Sequence, residues 1–322
     1  MTDRVRSRGA LQTRLHEEAA AARGAVFGGR VFVRAVVEVS NFCREDCRYC
    51  GMRRSDRGLA RRRLDPDEVF DWIVKVCPPS ATDINLQSGE DPVAARDVIA
   101  PLVRRIKAET RLGVSVCPGT LDPRDTRELL DAGADYYVIK LESPDAAHYA
   151  GLRAPGTLAE RIAAIRQLAG DGWKVSSGFI LGLPGAAPHA PSDAIRLLRS
   201  LPLSGASVSP FVPGPGTPLA DSPAGDLEDA INCVALLRLA NPNWIIPAVS
   251  AMEIGAPGSY ARALQAGANL ATINITPPEF RGNYPIYHPR RHIMDEHRVL
   301  DAIQKSNLTP SPTSLSEFLK KI

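Results

Sequence analysis

Apolar residues gather in short runs along this chain, and the stretches between the runs repeat apolar positions with the period of a helix. The runs at 31–39, 82–88, 112–117, 135–142, 174–181, 206–211, 244–250 and 269–275 predict strands. Helical periodicity fills 65–76, 92–110, 123–132, 158–169, 193–201, 227–240 and 258–266. Asp65-Pro66-Asp67-Glu68 and Ser192-Asp193 have the composition of helix starts. Ala-Gly-Ala at 132–134 and at 266–268 follows a helix and precedes a strand, where a glycine ends the helix. Regular strand–helix alternation implies a parallel sheet. Eight such units within roughly 250 residues predict a closed (β/α)8 barrel of the TIM type. An open doubly wound sheet is the alternative, and in both folds ligands gather at the C-terminal ends of the strands.

Helix formers at 8–24 predict an N-terminal helix packed outside the barrel, and an apolar-periodic run within 310–322 predicts a terminal helix. No linker divides the chain. The expected plan is an N-terminal helical extension over 1–30, a barrel over 31–290 and a C-terminal helical tail over 291–322.

Composition narrows the class. With 44% hydrophobic and 23% charged residues, a 322-residue chain buries a large core without disulfide staples. A net charge of +3 points to neither nucleic acid nor an anionic membrane as partner. Of the six cysteines, Cys43, Cys47 and Cys50 cluster while Cys77, Cys117 and Cys233 stand apart. That is no disulfide framework and fits a reducing compartment. The first residues lack the apolar core of a signal peptide, and no run reaches the length of a membrane span, so a cytoplasmic protein is expected.

The clustered cysteines follow the first strand with the spacing C-x3-C-x2-C, and Tyr49 precedes the third. Three thiolates on one loop can hold three corners of a cubane iron–sulfur cluster and leave one iron open to a small molecule. A zinc site with a distant fourth ligand, or a group of inert buried thiols, are the alternatives.

Later strand ends carry a matching set of groups. Ser88-Gly89-Glu90 ends the second strand with a close-approach glycine and a carboxylate. Lys140-Leu141-Glu142 ends the fourth. Arg161 lies on the helix that follows and can bind a carboxylate bidentately. Gly178-Phe179-Ile180-Leu181-Gly182 ends the fifth with a flat backbone edge for a planar ring.

In that order along the chain these residues resemble the biotin-synthase-like group of radical S-adenosylmethionine (SAM) enzymes, nearest the branch of [FeFe]-hydrogenase maturase E and methylornithine synthase. The resemblance runs from about Val31 to Pro289. It implies a [4Fe-4S] cluster on Cys43, Cys47 and Cys50, with Tyr49 beside the adenine. Gly89 and Glu90 would take the SAM ammonium. Arg161 would hold its carboxylate, Lys140 and Glu142 would lie near its polar groups, and Gly178, Ile180 and Gly182 would meet its base. Lys140 stands where the maturase has an arginine. Pro247-Ala-Val-Ser-Ala-Met252 has fewer hydroxyls than the maturase's seventh strand end. Ser115-Val-Cys-Pro-Gly-Thr120 replaces a stretch with an acidic residue. No cysteine follows Cys233, so no C-terminal auxiliary cluster is expected. The cofactor half matches and the substrate half has changed.

The resemblance further implies one-electron cleavage of SAM to a 5′-deoxyadenosyl radical, with a flavodoxin or ferredoxin as external reductant. The radical would take hydrogen from a small-molecule substrate. Candidate substrate contacts are Gln87, Ser115, Cys117, Ser209, Ser250, Met252, Thr276, Arg281, Tyr284 and Tyr287. His288, His292 and His297 with Arg290 and Arg291 form a basic segment able to meet a phosphate or to make a solvated helix face. Arginine far exceeds lysine, as in GC-rich genomes, which suggests carbon–carbon bond formation in nucleoside-antibiotic biosynthesis. An amino-acid mutase or maturase-type lyase is the rival enzyme. An iron–sulfur electron carrier or redox sensor is the rival of another class, and it would not need Glu90, Glu142 or Arg161.

Overall fold

The computed structural model describes residues 2–287 and 293–321. Its strands are β1 Arg30–Ser40, β2 Asp83–Ser88, β3 Gly113–Cys117, β4 Tyr136–Val138, β5 Lys174–Leu181, β6 Gly205–Pro210, β7 Leu270–Asn274 and a short β8 Thr309–Pro310. They pair in parallel in the order β6-β5-β4-β3-β2-β1-β7, with β8 on the free start of β1. Helices cover the outside, as the α/β alternation predicts.

Along β1 the two faces separate cleanly. Val31, Val33, Ala35, Val37 and Val39 pack into the main core against the helices. Arg34, Val36 and Glu38 face the barrel interior. This is the period of two of a strand. Each buried valine contributes roughly 1.5–3 kcal/mol.

The predicted strand at 244–250 is not a regular strand. It closes the ring between β6 and β7 through two isolated bridges, Gly205 with Ile245 and Pro247 with Leu270. Side chains hold it instead of a ladder. The buried guanidinium of Arg238 donates to the carbonyls of Pro242, Trp244 and Gly267 and to Asn269 Oδ1. That same Asn269 oxygen accepts the N–H of Ile246.

Two further expectations change. The strand at 135–142 shortens to Tyr136–Val138, although Ile139 and Leu141 still donate to the β5 backbone. The helix at 92–110 contains a π-turn, Ala95–Ile99, between Pro92–Ala94 and Ala100–Glu109. Pro101 has no N–H for an α-helical bond, and the wider turn absorbs that loss. Short helices Ala146–Gly151, Ala251–Gly255 and Pro278–Arg281 lie in stretches without a helical reading, while the helix Glu296–Lys305 falls inside the stretch expected as a helical tail.

The N-terminal helix, Ala10–Phe27, packs on Leu227–Ala240, where Asn232 donates to the carbonyls of Val5 and Ser7. At the N-terminal end of the strands the barrel is plugged. The helix Leu315–Leu319 sits there with Phe27, Phe32 and Phe318. The buried Asp83 carboxylate accepts the N–H groups of Leu315 and Ser316 at 2.7 and 3.0 Å. The open mouth is therefore at the C-terminal end, where the cysteine loop lies. No helix among the described residues is long and apolar enough to cross a membrane.

Candidate active site

The loop after β1 brings Cys43, Cys47 and Cys50 over the barrel mouth. Cys47 is buried, and Cys43 and Cys50 are half-buried. Burial raises all three thiol pKa values, with that of Cys50 pushed up to about 12. Backbone N–H groups already point at two of the sulfurs. Glu45 and Glu90 donate to Cys43, and Met52 donates to Cys50 at 3.4 Å. Such donors favour the charged form of sulfur, so the loop is built for thiolates that a cation must stabilise. Among the described residues no three His, Cys, Asp or Glu side chains converge on a position for one metal ion. A zinc ion requires that convergence. A cubane does not, because each thiolate holds its own iron. The donor set fits a cluster.

Gly89 lies against this loop. A Cβ there would fall 2.3 Å from the carbonyl oxygen of Phe42 and 2.9 Å from Cys43 Cβ. Only glycine lets β2 end so close to Cys43. Glu90, the next residue, is buried. Its Oε1 lies 2.9 Å from Arg161 Nη2, and its Oε2 accepts the N–H of Thr120 at 2.7 Å. Arg161 Nε donates to Tyr149 OH. Burial works to lower the Arg161 pKa, but Glu90 and Tyr149 outweigh it and hold the guanidinium charged. Glu90 and Arg161, expected as separate ligand contacts, thus contact each other beside the cysteine loop and are not in the lining of the cavity described next.

Below the loop is a cavity of about 400 Å³ that fills the upper barrel. Tyr49 and Met52 of the cysteine loop form part of its lining, with Ser88, Lys140, Glu142 and Ile180 from later strand ends. Tyr49 and Ile180 pack in one apolar group with Leu152, Leu183, Phe211 and Leu219. Gly178 is off the wall, and its carbonyl accepts the N–H groups of Leu141 and Glu142. Gly182 turns the chain after β5 with φ 84°, close against Gly225.

Glu142 has φ 64°, a strained value for a residue with a side chain. Burial raises its pKa, against the pull of Lys140 and Arg161. Burial lowers that of Lys140, whose Nζ donates to Ser207 Oγ. Two buried ionisable groups shifted in opposite directions at one strand end are typical of a site rather than of a scaffold.

Six of the substrate candidates line the cavity: Gln87, Cys117, Ser209, Ser250, Tyr284 and Tyr287. Four do not. Ser115 stands beside Asn85 on the inward face but is bonded to Asn85 Oδ1 and the Ile84 carbonyl. Met252 is fully buried in the core. Thr276 bonds Glu38, and Arg281 donates to the Thr276 carbonyl. His297 is exposed on the helix Glu296–Lys305, while His288, Arg290, Arg291 and His292 lie outside the described residues. The wall also holds Arg34, Glu38, Asn85, Ser207, Thr272 and Asn274, which are not among the residues expected from the sequence. All are polar residues at interior positions of strands, and the period of two marks them.

Residues 37–198 match the model of the Radical SAM superfamily. The chain belongs to this superfamily. It is a radical SAM enzyme, and members of the family use a [4Fe-4S] cluster and S-adenosylmethionine. It is 35% identical over 262 residues to the [FeFe] hydrogenase maturase subunit HydE of Thermotoga maritima, covering 81% of this chain and 74% of that one. It is 27% identical over 261 residues to 3-methylornithine synthase of Methanosarcina acetivorans, covering 80% and 73%. Biotin synthase of Magnetococcus marinus is 27% identical over 249 residues, covering 76% and 77%. The crystal structure of methylornithine synthase superposes with a TM-score of 0.84 at 24% identity, over 96% of this chain and 92% of that one.

Proposed function

We propose that this radical SAM enzyme abstracts a hydrogen atom from a small polar substrate seated in the barrel cavity. The observation that carries the reading is that the cysteine loop and the later strand ends line one cavity, through Tyr49 and Met52 on one side and Lys140, Glu142 and Ile180 on the other. Cys43, Cys47 and Cys50 hold the cluster. Arg161, whose Nη1 is engaged by neither of its two contacts, takes the SAM carboxylate. Glu90 positions that arginine and shares its remaining lone pairs with the ammonium, since a carboxylate offers about four such sites. Tyr49 and Ile180 flank the base. With both cofactors bound, one electron from an external reductant would break the sulfonium C–S bond of SAM to give methionine and a 5′-deoxyadenosyl radical. The chain orients the substrate with Gln87, Cys117, Lys140 and Ser209, and the plug at the far end keeps bulk water out.

A maturase-type or mutase-type reaction on an amino-acid-derived substrate is the finer reading, favoured by the 35% identity to HydE across three quarters of that protein. Carbon–carbon bond formation in a specialised-metabolite pathway has composition alone in its favour. The test is anaerobic turnover with SAM and a panel of perdeuterated amino acids and their thiol adducts. The proposal expects at least one to accelerate 5′-deoxyadenosine formation and to place deuterium in it. Acceleration with no deuterium transfer from any compound would overturn hydrogen abstraction.

A further inference from the structure

Residues 41–64 hold eight arginines against Glu45, Asp46 and Asp56, a net charge of +5. The whole chain carries only +3, so everything outside this segment is net −2. The positive charge of the molecule is thus concentrated around the three cluster cysteines. The arginines divide by role. Arg61 is a staple, donating to the carbonyls of Asn41, Met52, Arg53 and Asp56. Arg63 is held by Asp91 and lies over the Phe42 ring. Arg44, Arg48, Arg54, Arg57 and Arg62 are exposed. Arg54 and Arg57 enter no ion pair among the described residues, so the fold does not require their charge.

We infer that this arginine rim is the docking surface for an acidic one-electron carrier protein. The inference rests on the radical SAM reading of the loop and adds where its reductant binds. An electron must reach the thiolate-held cluster across a short gap, and Cys43 and Cys50 are the half-exposed ligands beneath the rim. Electron-transfer encounters use small, wet interfaces and gain their speed from charge complementarity. The rim has no exposed aromatic residue on which a nucleobase could stack, because Phe42 lies under Arg63 and Tyr49 faces the cavity. In the step itself the carrier loses one electron and the cluster gains it, with no bond made or broken between the proteins.

Binding of an acidic flavodoxin is measured by calorimetry at low and high salt, on the full chain and on the Cys43→Ala variant, which needs no cluster to dock. R54E/R57E is compared with R166E/R199E. The second pair makes the same charge change on exposed residues late in helices Leu158–Gly170 and Ala190–Arg199, at the plugged end of the barrel. The inference expects R54E/R57E to weaken binding about tenfold at low salt, with the gap closing as salt screens the rim, and R166E/R199E to change it less than about twofold. Flavodoxin-driven 5′-deoxyadenosine formation falls in parallel, while formation driven by dithionite or by reduced methyl viologen holds steady. Equal weakening by both pairs, no effect of R54E/R57E, or binding of a short RNA in place of the flavodoxin would overturn it. Absence of 5′-deoxyadenosine with dithionite would instead overturn the radical SAM reading beneath it.

Discussion

Glu90 Oε1 and Arg161 Nη2 are 2.9 Å apart, and both side chains are almost wholly buried. Two residues from different strand–helix units thereby lock the end of β2 to the helix Leu158–Gly170, directly behind the cluster loop. Removing one partner leaves a buried charge uncompensated. Arg161→Met is expected to cost ~3–5 kcal/mol in denaturant unfolding. Adding Glu90→Gln to it should recover a large share of that loss, as a double-mutant cycle would show. Neither variant should retain tight SAM binding.

Gly89→Ala tests the approach of β2 to the cluster loop. The added methyl meets the Phe42 backbone and Cys43 Cβ at distances no relaxed structure tolerates. The barrel core is untouched, so circular dichroism and gel filtration should match the wild type. Iron bound per chain after anaerobic reconstitution should fall by half or more.

The Glu142 carboxylate gives a pH signature. Burial raises its folded pKa above the unfolded value of 4.5, so the stability it contributes is full below pH 4.5 and is lost as pH rises through the folded pKa. At neutral pH burial of this carboxyl group is therefore a cost. Glu142→Gln is expected to raise the Tm by roughly 2 °C at pH 7.5, with the advantage gone at pH 4. The same variant should lose SAM cleavage, the trade-off of a strained functional residue.

Asp83 caps the plug. Asp83→Ala removes acceptors for two buried N–H groups of the helix Leu315–Leu319. A loss of ~1–3 kcal/mol is expected. Hydrogen exchange should speed up first at the C-terminal helix, because the cysteine loop lies at the opposite end.

Much of this arrangement is legible in the sequence. Alternation of strands and helices identified the barrel, and the spacing of Cys43, Cys47 and Cys50 identified the loop. Two departures share a cause, tertiary contacts that override local signals. The segment at 244–250 has strand composition, yet Arg238 and Asn269 hold its backbone and leave only two bridges. Glu90 and Arg161 are 71 residues apart, and nothing in either neighbourhood announces that they pair. Arg34, Asn85 and Thr272 were missed for a different reason. They lie inside strands rather than at strand ends, and polar residues on the inward face of a barrel strand deserved the same suspicion.

On the proposed function, Cys43, Cys47 and Cys50 hold a cluster at which SAM is cleaved over this cavity. The most direct measurement is 5′-deoxyadenosine formed per chain after anaerobic reconstitution with iron and sulfide, using SAM and dithionite, in wild type, Cys43→Ala and Cys117→Ala. The expected result is product from the wild type and from Cys117→Ala, and none from Cys43→Ala. No product from a wild type that has taken up its iron, or equal product from Cys43→Ala, would contradict the claim.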